Sequence, residues 1–512
     1  MKLAAVADAS RRVSETPGRR DKVGLLAALL ARTPPDEIEI AAAFLSGAVR
    51  QDKLGLGWAS IQSAMPGAAA ESASVELPEV NAVLDRIARA AGKGSADAKQ
   101  RLLRELLSRL TAEEQRFLAG LIVGELRQGA LEGLLVEAVA RAAGCPAAEV
   151  RRALMMAGDL PAVARAALDG GGTGLSAFAV QLFQPVLPML AGSAEDVDQA
   201  MAELGAAAVE YKLDGARVQI HRRGDEVRVY SRRLNEVTAA VPELVEAARR
   251  LTAVEFIVEG EAIALRPDGT PLPFQTTMRR FGRRLDVERV REELPVTLFL
   301  FDLLYLEGAP LLDEPLRRRA ELLAGSVPAS LIVPRVVTAS AEEAGEFHRA
   351  AMARGHEGVM VKALDAAYEA GRRGRRWLKV KTVRTLDLVV LAAEWGHGRR
   401  RGWLSNLHLG ARDPHQGFVM LGKTFKGMTD EMLRWQTERL SELEVSRDGH
   451  IVYVRPELVV EVAFNDLQAS PQYPGGLALR FARVKGYRPD KSSSEADTMD
   501  TLREIYRMQG AG

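Results

Sequence analysis

The spacing of apolar positions changes twice along this chain. To about residue 168 it is helical. Leu102, Leu103, Leu106, Leu107 and Leu110 recur at the period of one helix face. Thr111-Ala112-Glu113-Glu114 predicts a capping box opening a second helix, with Phe117, Leu118, Leu121 and Ile122 on its apolar side. Leu131, Leu134, Leu135, Ala138 and Val139 continue the pattern, and the Gly-Ser-Ala-rich stretch 66–74 predicts an exposed loop. Asp169 to Gly174 predicts a break, and Pro185 and Pro188 predict an extended crossing over 183–190.

From about residue 205 the period becomes two. Val218 and Ile220, then Val227 and Val229, alternate around Gly224-Asp225 and predict a hairpin. Buried strands are expected at 254–258 and 296–300, and helices at 242–251 and 341–354. A third regime follows Arg384, with strand-like runs at 386–392, 403–409, 417–421 and 458–464 and a helix at 430–440. That content suits a small β-barrel of the OB type. The expected organisation is therefore multidomain: an all-α part over 1–190, an α+β domain over 191–384 and a barrel over 385–512.

Composition narrows the class. With 69 basic and 68 acidic residues the chain is nearly neutral, which excludes a polycationic coat protein but not an enzyme with a local basic surface. Cys145 is the lone cysteine, so an intrachain disulfide framework and a cysteine-rich zinc site are excluded. The first twenty residues lack a signal-peptide core, and no apolar run is long enough to span a membrane. A cytoplasmic, nucleoid-associated protein is expected.

Lysine is rare, at 13 against 56 arginines, and only eight lysines follow residue 200. Where a generic positive charge suffices this chain uses Arg, which leaves the surviving lysines as candidates for work that needs a compact amine. Lys212 lies in Glu210-Tyr211-Lys212-Leu213-Asp214-Gly215-Ala216-Arg217, at a polar break between strand-like segments. Asp214-Gly215 forms a tight turn there, Glu210 shares the lysine's side of the strand, and Arg217 can meet a phosphate or ribose. Further polar groups are expected at strand ends: Ser231-Arg232-Arg233, Glu259-Gly260-Glu261, Phe301-Asp302, Glu357 to Lys362, and Trp377 to Lys381, whose two lysines face one side. Lysines about a phosphate, carboxylates for a hard cation and an aromatic ring over a base suit a nucleotide.

In this order the segments, ending with Arg480 to Lys491, resemble the catalytic core of the ATP-dependent DNA ligases, within the covalent nucleotidyltransferase superfamily. The stretches 124–129 and 185–190 carry a weaker resemblance to the helical DNA-binding domain of archaeal-type and replicative-type ligases. The resemblance implies a DNA-binding helical domain, an ATP-grasp-like adenylation domain and an OB-fold barrel. It implies that Lys212 is the nucleophile forming lysyl-AMP, that Glu210 reads the adenine amino group and that Phe301 stacks on the base. Glu261 would meet ribose or metal, and Glu357 would help hold Mg²⁺. Arg217, Arg232 and Arg373 would contact ribose or phosphates, with Lys379 and Lys381 on the α-phosphate. Arg488 to Lys491 would orient pyrophosphate. Lys379, Lys381 and Mg²⁺ would lower the Lys212 pKa by charge repulsion.

ATP is then a substrate, nicked duplex DNA the partner and a monomer the expected state, with replication or repair proteins as candidate partners. Two other readings compete. An RNA ligase or capping enzyme is disfavoured by the helical N-terminal part, and a non-catalytic DNA-binding relative by retention of Lys212, Glu261, Glu357, Lys379 and Lys381. An NAD-dependent ligase is disfavoured because Cys145 stands alone.

Overall fold

The computed structural model describes residues 1–51, 53–126, 132–281, 286–369, 373–381 and 384–508. Helices from Leu3–Glu15 to Leu160–Leu175 make up the first part around one apolar core. The capping box is present: the Glu114 carboxylate accepts from the Thr111 N–H at 2.9 Å, and the Thr111 hydroxyl accepts from the Glu114 N–H. Leu103, Leu106 and Leu107 are buried as their spacing requires, while Leu131 and part of 124–129 lie outside the described residues. At Asp169–Gly174 the chain kinks instead of ending. The helix Leu160–Leu175 continues through Gly171, whose φ of 53° breaks the helical geometry for one residue.

Two five-stranded sheets build the central domain. The first runs Leu190–Ser193, Arg373–Lys381, Gly358–Ala363, Ala207–Lys212, Arg335–Thr338. The second runs Glu226–Ser231, Ala216–Arg223, Glu255–Ala264, Val296–Leu306, Ala309–Pro310. Lys212 ends a strand of one sheet and Ala216 begins a strand of the other, so the three residues between them bridge the sheets. Gly215 is needed in that step, because a Cβ there would stand 2.4 Å from the Ala262 carbonyl oxygen.

Two expected strand ends are strand interiors. Glu261 lies within Glu255–Ala264 and Phe301 within Val296–Leu306. Cross-strand pairing carries both strands past their polar residues, which short apolar runs could not reveal. The pairing slips between Glu259 and Gly260, whose partners are Asp302 and Leu300. Phe301 is therefore the extra residue of a β-bulge, a device that re-aims a side chain.

A seven-stranded sheet with the helix Asp430–Glu442 forms the C-terminal β-rich domain around its own core. A separate two-stranded hairpin, Asp466–Ala469 with Leu477–Arg480, faces the central domain, where Gln275 lies 3.5 Å from Gln468. The helical domain is seated on the central domain by Met155 and Met156, packed with Ile257, Leu304 and Leu312, and by a bidentate Arg152–Asp313 pair at 2.5 and 2.7 Å. No helix among the described residues is long and apolar enough to cross a membrane.

Candidate active site

One cavity of about 750 Å³ opens between the two central sheets. It is lined by Lys212, Glu210, Arg217, Arg232, Glu261, Phe301, Glu357, Lys379 and Lys381. Nine of the ten residues singled out from the sequence thus share one space. The tenth, Arg373, pairs through its backbone with Leu190, and its side chain lies outside the described residues, as does Arg372.

Strand register explains the centre of the site. Lys212 pairs with Gly358, and Gly358 with Lys381, across three adjacent strands. Glu357 immediately precedes Gly358, and its backbone N–H donates to the Lys212 carbonyl at 3.1 Å. Its carboxylate therefore sits between two lysines and pairs with both Lys212 and Lys381. Burial would raise the Glu357 carboxyl, but the two ammonium groups outweigh it and hold it below its ordinary value.

The expectation for Lys212 is reversed in this arrangement. Burial disfavours its charged form, yet Glu357, Glu261 and Asp214 outweigh that penalty and raise its pKa. Burial raises Glu261 to about 7 and Asp214 to about 6. The Glu261 carboxylate accepts no hydrogen bond among the described residues, so an oxygen ligand stands unspent beside the nucleophile candidate.

These carboxylates fit a hard cation in a particular way. No three described Asp, Glu, His or Cys side chains stand close enough to cage an ion unaided. Mg²⁺ takes one or two carboxylates and completes its shell with water and substrate phosphates, a demand that Glu261 and Glu357 can meet.

At the far end the cavity is apolar and aromatic. Phe301 meets Trp377 edge-on at 6.3 Å, and Met360 and Val333 complete the wall. Glu210 is buried beneath it, accepting from Arg335 Nε at 2.8 Å and pairing with Lys362 Nζ at 2.5 Å. Two carboxylate oxygens offer about four acceptor sites, so capacity remains for a base amino group. Lys362 escaped selection from the sequence, although the scarcity of lysine marked it. Its ammonium lies 4.5 Å from the Phe301 ring and 4.2 Å from that of Trp377.

Arg217 is held more tightly than its motif suggested. It donates to the Met189 carbonyl at 2.8 Å and to Glu259 at 2.6 Å, and its side chain also lies 5.3 Å from the Phe301 ring centre. Arg232 is exposed at the rim, without an ion-pair partner among the described residues. Asp302 turns away from the cavity to pair with Arg319, both fully buried.

The C-terminal domain closes the front with Asn465, Asp466, Arg480 and Phe481. Phe481 is 59% exposed at φ 55°, and the Arg480 guanidinium lies 5.7 Å over the Phe274 ring. Phe274 belongs to the helix Phe274–Phe281, which the sequence patterning did not predict. Arg488 and Lys491, expected near pyrophosphate, are elsewhere and both pair with Asp387. The C-terminal domain turns a different face to the cavity here.

Comparison with known proteins gives one answer along the whole chain. Residues 59–140 match the DNA ligase N terminus, 188–381 the ATP dependent DNA ligase domain and 400–491 the ATP dependent DNA ligase C terminal region. A probable DNA ligase of Anaeromyxobacter dehalogenans is 59% identical over 99% of this chain and 100% of its own length. One from Mycolicibacterium paratuberculosis is 54% identical over 98% of this chain and 97% of its own. A solved structure described as Pmar-Lig_PreS3 aligns over 94% of this chain and 99% of its own at TM-score 0.62 and 17% identity, so the fold is shared throughout. Cavity, domain order and relatives agree: the chain belongs to the ATP-dependent DNA ligases.

Proposed function

We infer that this ligase seals nicks bearing 5′-phosphate and 3′-hydroxyl ends in duplex DNA, through AMP carried on Lys212. The observation that carries this reading is Lys212 at the junction of both sheets, inside one cavity with Glu261, Glu357, Lys379 and Lys381.

The Lys212 amine attacks the α-phosphorus of ATP, forming the N–P bond as the bond to pyrophosphate breaks. It must first lose its proton and its Glu357 partner. Lys379 and Lys381 neutralise the α-phosphate as charge builds on it. Phe301 stacks on the base, Glu210 accepts from its amino group, and Arg217, Arg232 and Arg373 hold ribose and phosphates. Mg²⁺, bound through Glu261 and Glu357, would supply charge neutralisation at the phosphates. The nick 5′-phosphate next takes AMP from Lys212, and the 3′-hydroxyl then displaces AMP to close the strand. Positioning supplies much of the rate in such in-line transfers.

Residues 1–190 serve as the DNA-binding domain, 191–384 as the adenylation domain and 385–512 as the barrel that closes on DNA. The enzyme acts as a monomer on cellular DNA in replication, repair or recombination.

The test is sealing of a nicked duplex offered as DNA or as RNA, with ATP, GTP or NAD and with Mg²⁺ or EDTA. Sealing of nicked DNA with ATP and Mg²⁺ is expected. Sealing of RNA alone, or undiminished sealing in EDTA, would refute the substrate or the metal assignment respectively.

A further inference from the structure

The segment joining the helical and central domains is held along its length. The Val186 N–H donates to Gln219 Oε1 at 2.8 Å, and its carbonyl accepts from Gln219 Nε2 at 3.1 Å. The Phe183 N–H donates to His221 Nδ1 at 2.9 Å, and the Tyr230 hydroxyl donates to the Phe183 carbonyl at 2.8 Å. Burial pushes His221 down to about 3, so it stays neutral with Nδ1 free to accept. Phe183 occupies φ 70°, a costly conformation for a non-glycine residue, and the Arg223 and Arg228 guanidiniums lie 5.1 and 4.8 Å from its ring centre. On the other side, the Leu187 N–H donates to the Met155 carbonyl of the helical domain at 2.9 Å.

This network converges on one buried oxygen. The Tyr368 hydroxyl accepts from the Met189 N–H at 2.9 Å and from Arg217 Nη2 at 3.3 Å, and donates to Glu259 Oε2 at 2.8 Å. A phenol offers one donor and two acceptor sites, so all are used. Tyr368 is 2% and Glu259 1% exposed. Met189 and Arg217 both line the nucleotide cavity, while Tyr368 and Glu259 stand behind them.

We propose that Tyr368 is a positioning residue for ATP. Its hydroxyl fixes the interdomain segment and the Arg217 guanidinium in one register, and thereby couples the seat of the helical domain to the shape of the nucleotide cavity. The proposal rests on reading Arg217 as a nucleotide contact.

Self-adenylation rate against ATP concentration tests it in the full chain, with Tyr368→Phe, Glu259→Gln and Arg217→Ala. Tyr368→Phe should raise KM for ATP about five- to tenfold, the worth of one buried hydrogen bond. The maximal rate should change less than about twofold. Glu259→Gln, which keeps the side chain's shape but removes the charge anchoring Arg217, should shift KM in the same direction, and it decides the matter should Tyr368→Phe fail to fold. A lowered melting temperature with unchanged KM in both variants would make Tyr368 a structural residue only and overturn the proposal. A raised KM in Arg217→Ala alone would overturn it while leaving the role of Arg217 intact. Unchanged KM in Arg217→Ala would remove Arg217 from the nucleotide, and the proposal with it.

Discussion

Asp302→Asn should destabilise the central domain strongly although it touches no substrate. Asp302 and Arg319 are both 0% exposed, and the carboxylate receives Arg319 Nε at 2.7 Å and Nη2 at 2.9 Å. Burial alone would raise the Asp302 carboxyl, but Arg319 outweighs it and holds it low. Asparagine keeps one acceptor and turns an amide donor toward a guanidinium donor, leaving a buried charge without its counter-ion. Breaking such a pair costs about 3 kcal/mol at the lower end of measured cases. The low end applies because Arg319 Nη1 still reaches the Glu314 and Ala366 carbonyls, at 2.5 and 3.0 Å. For a domain of this size that is a fall of about 6–12 °C in its calorimetric transition. The double variant Asp302→Leu with Arg319→Met should recover most of the loss, because two apolar groups leave no charge stranded. A shift under about 2 °C for Asp302→Asn, or no recovery in the double variant, would refute the reasoning.

Two further outcomes follow from the C-terminal domain. Phe481→Ala removes an exposed aromatic at the mouth of the cavity, so sealing should fall about tenfold with self-adenylation nearly unchanged; equal loss of both would show that Phe481 serves the nucleotide instead. Burial opposes ionisation of Glu394, but Lys423, His408 and Asn406 hold its carboxyl down to about 2. A lowered carboxyl pKa adds stability that is complete above the ordinary value of about 4.5 and is lost as pH falls from there toward 2. Glu394→Gln should therefore flatten the fall in melting temperature between about pH 5 and 3, and an unchanged slope would contradict that origin.

What the sequence revealed depended on range. Helix faces, the Thr111 cap and four of the C-terminal strands are set by local spacing, and local spacing found them; the short strands Glu444–Asp448, Ile451–Val454, Asp466–Ala469, Leu477–Arg480 and Arg483–Tyr487 carry too little pattern and were missed. Nine of the ten candidate residues line one cavity; motif order, which carries the family resemblance, and lysine scarcity pointed to them along the chain. What was missed depends on neighbours distant in sequence. The bulge at Phe301 exists only in the pairing of two strands, and the triple use of the Tyr368 hydroxyl joins residues 179 positions apart. The raised pKa of Lys212 depends on which charges stand nearest, and the order of residues along a chain does not say. The segment 183–190 was read as extended, but it opens in a turn at Phe183, and Met189 and Leu190 also line the nucleotide cavity. Removing residues 1–190 would breach that wall, and a cut intended to spare self-adenylation belongs ahead of Phe183.

We infer that Lys212 carries AMP. The full chain, incubated with α-labelled ATP and Mg²⁺, should acquire an acid-labile label, and Lys212→Arg should acquire none while melting near the parent temperature. Full labelling of the folded Lys212→Arg protein would contradict the account.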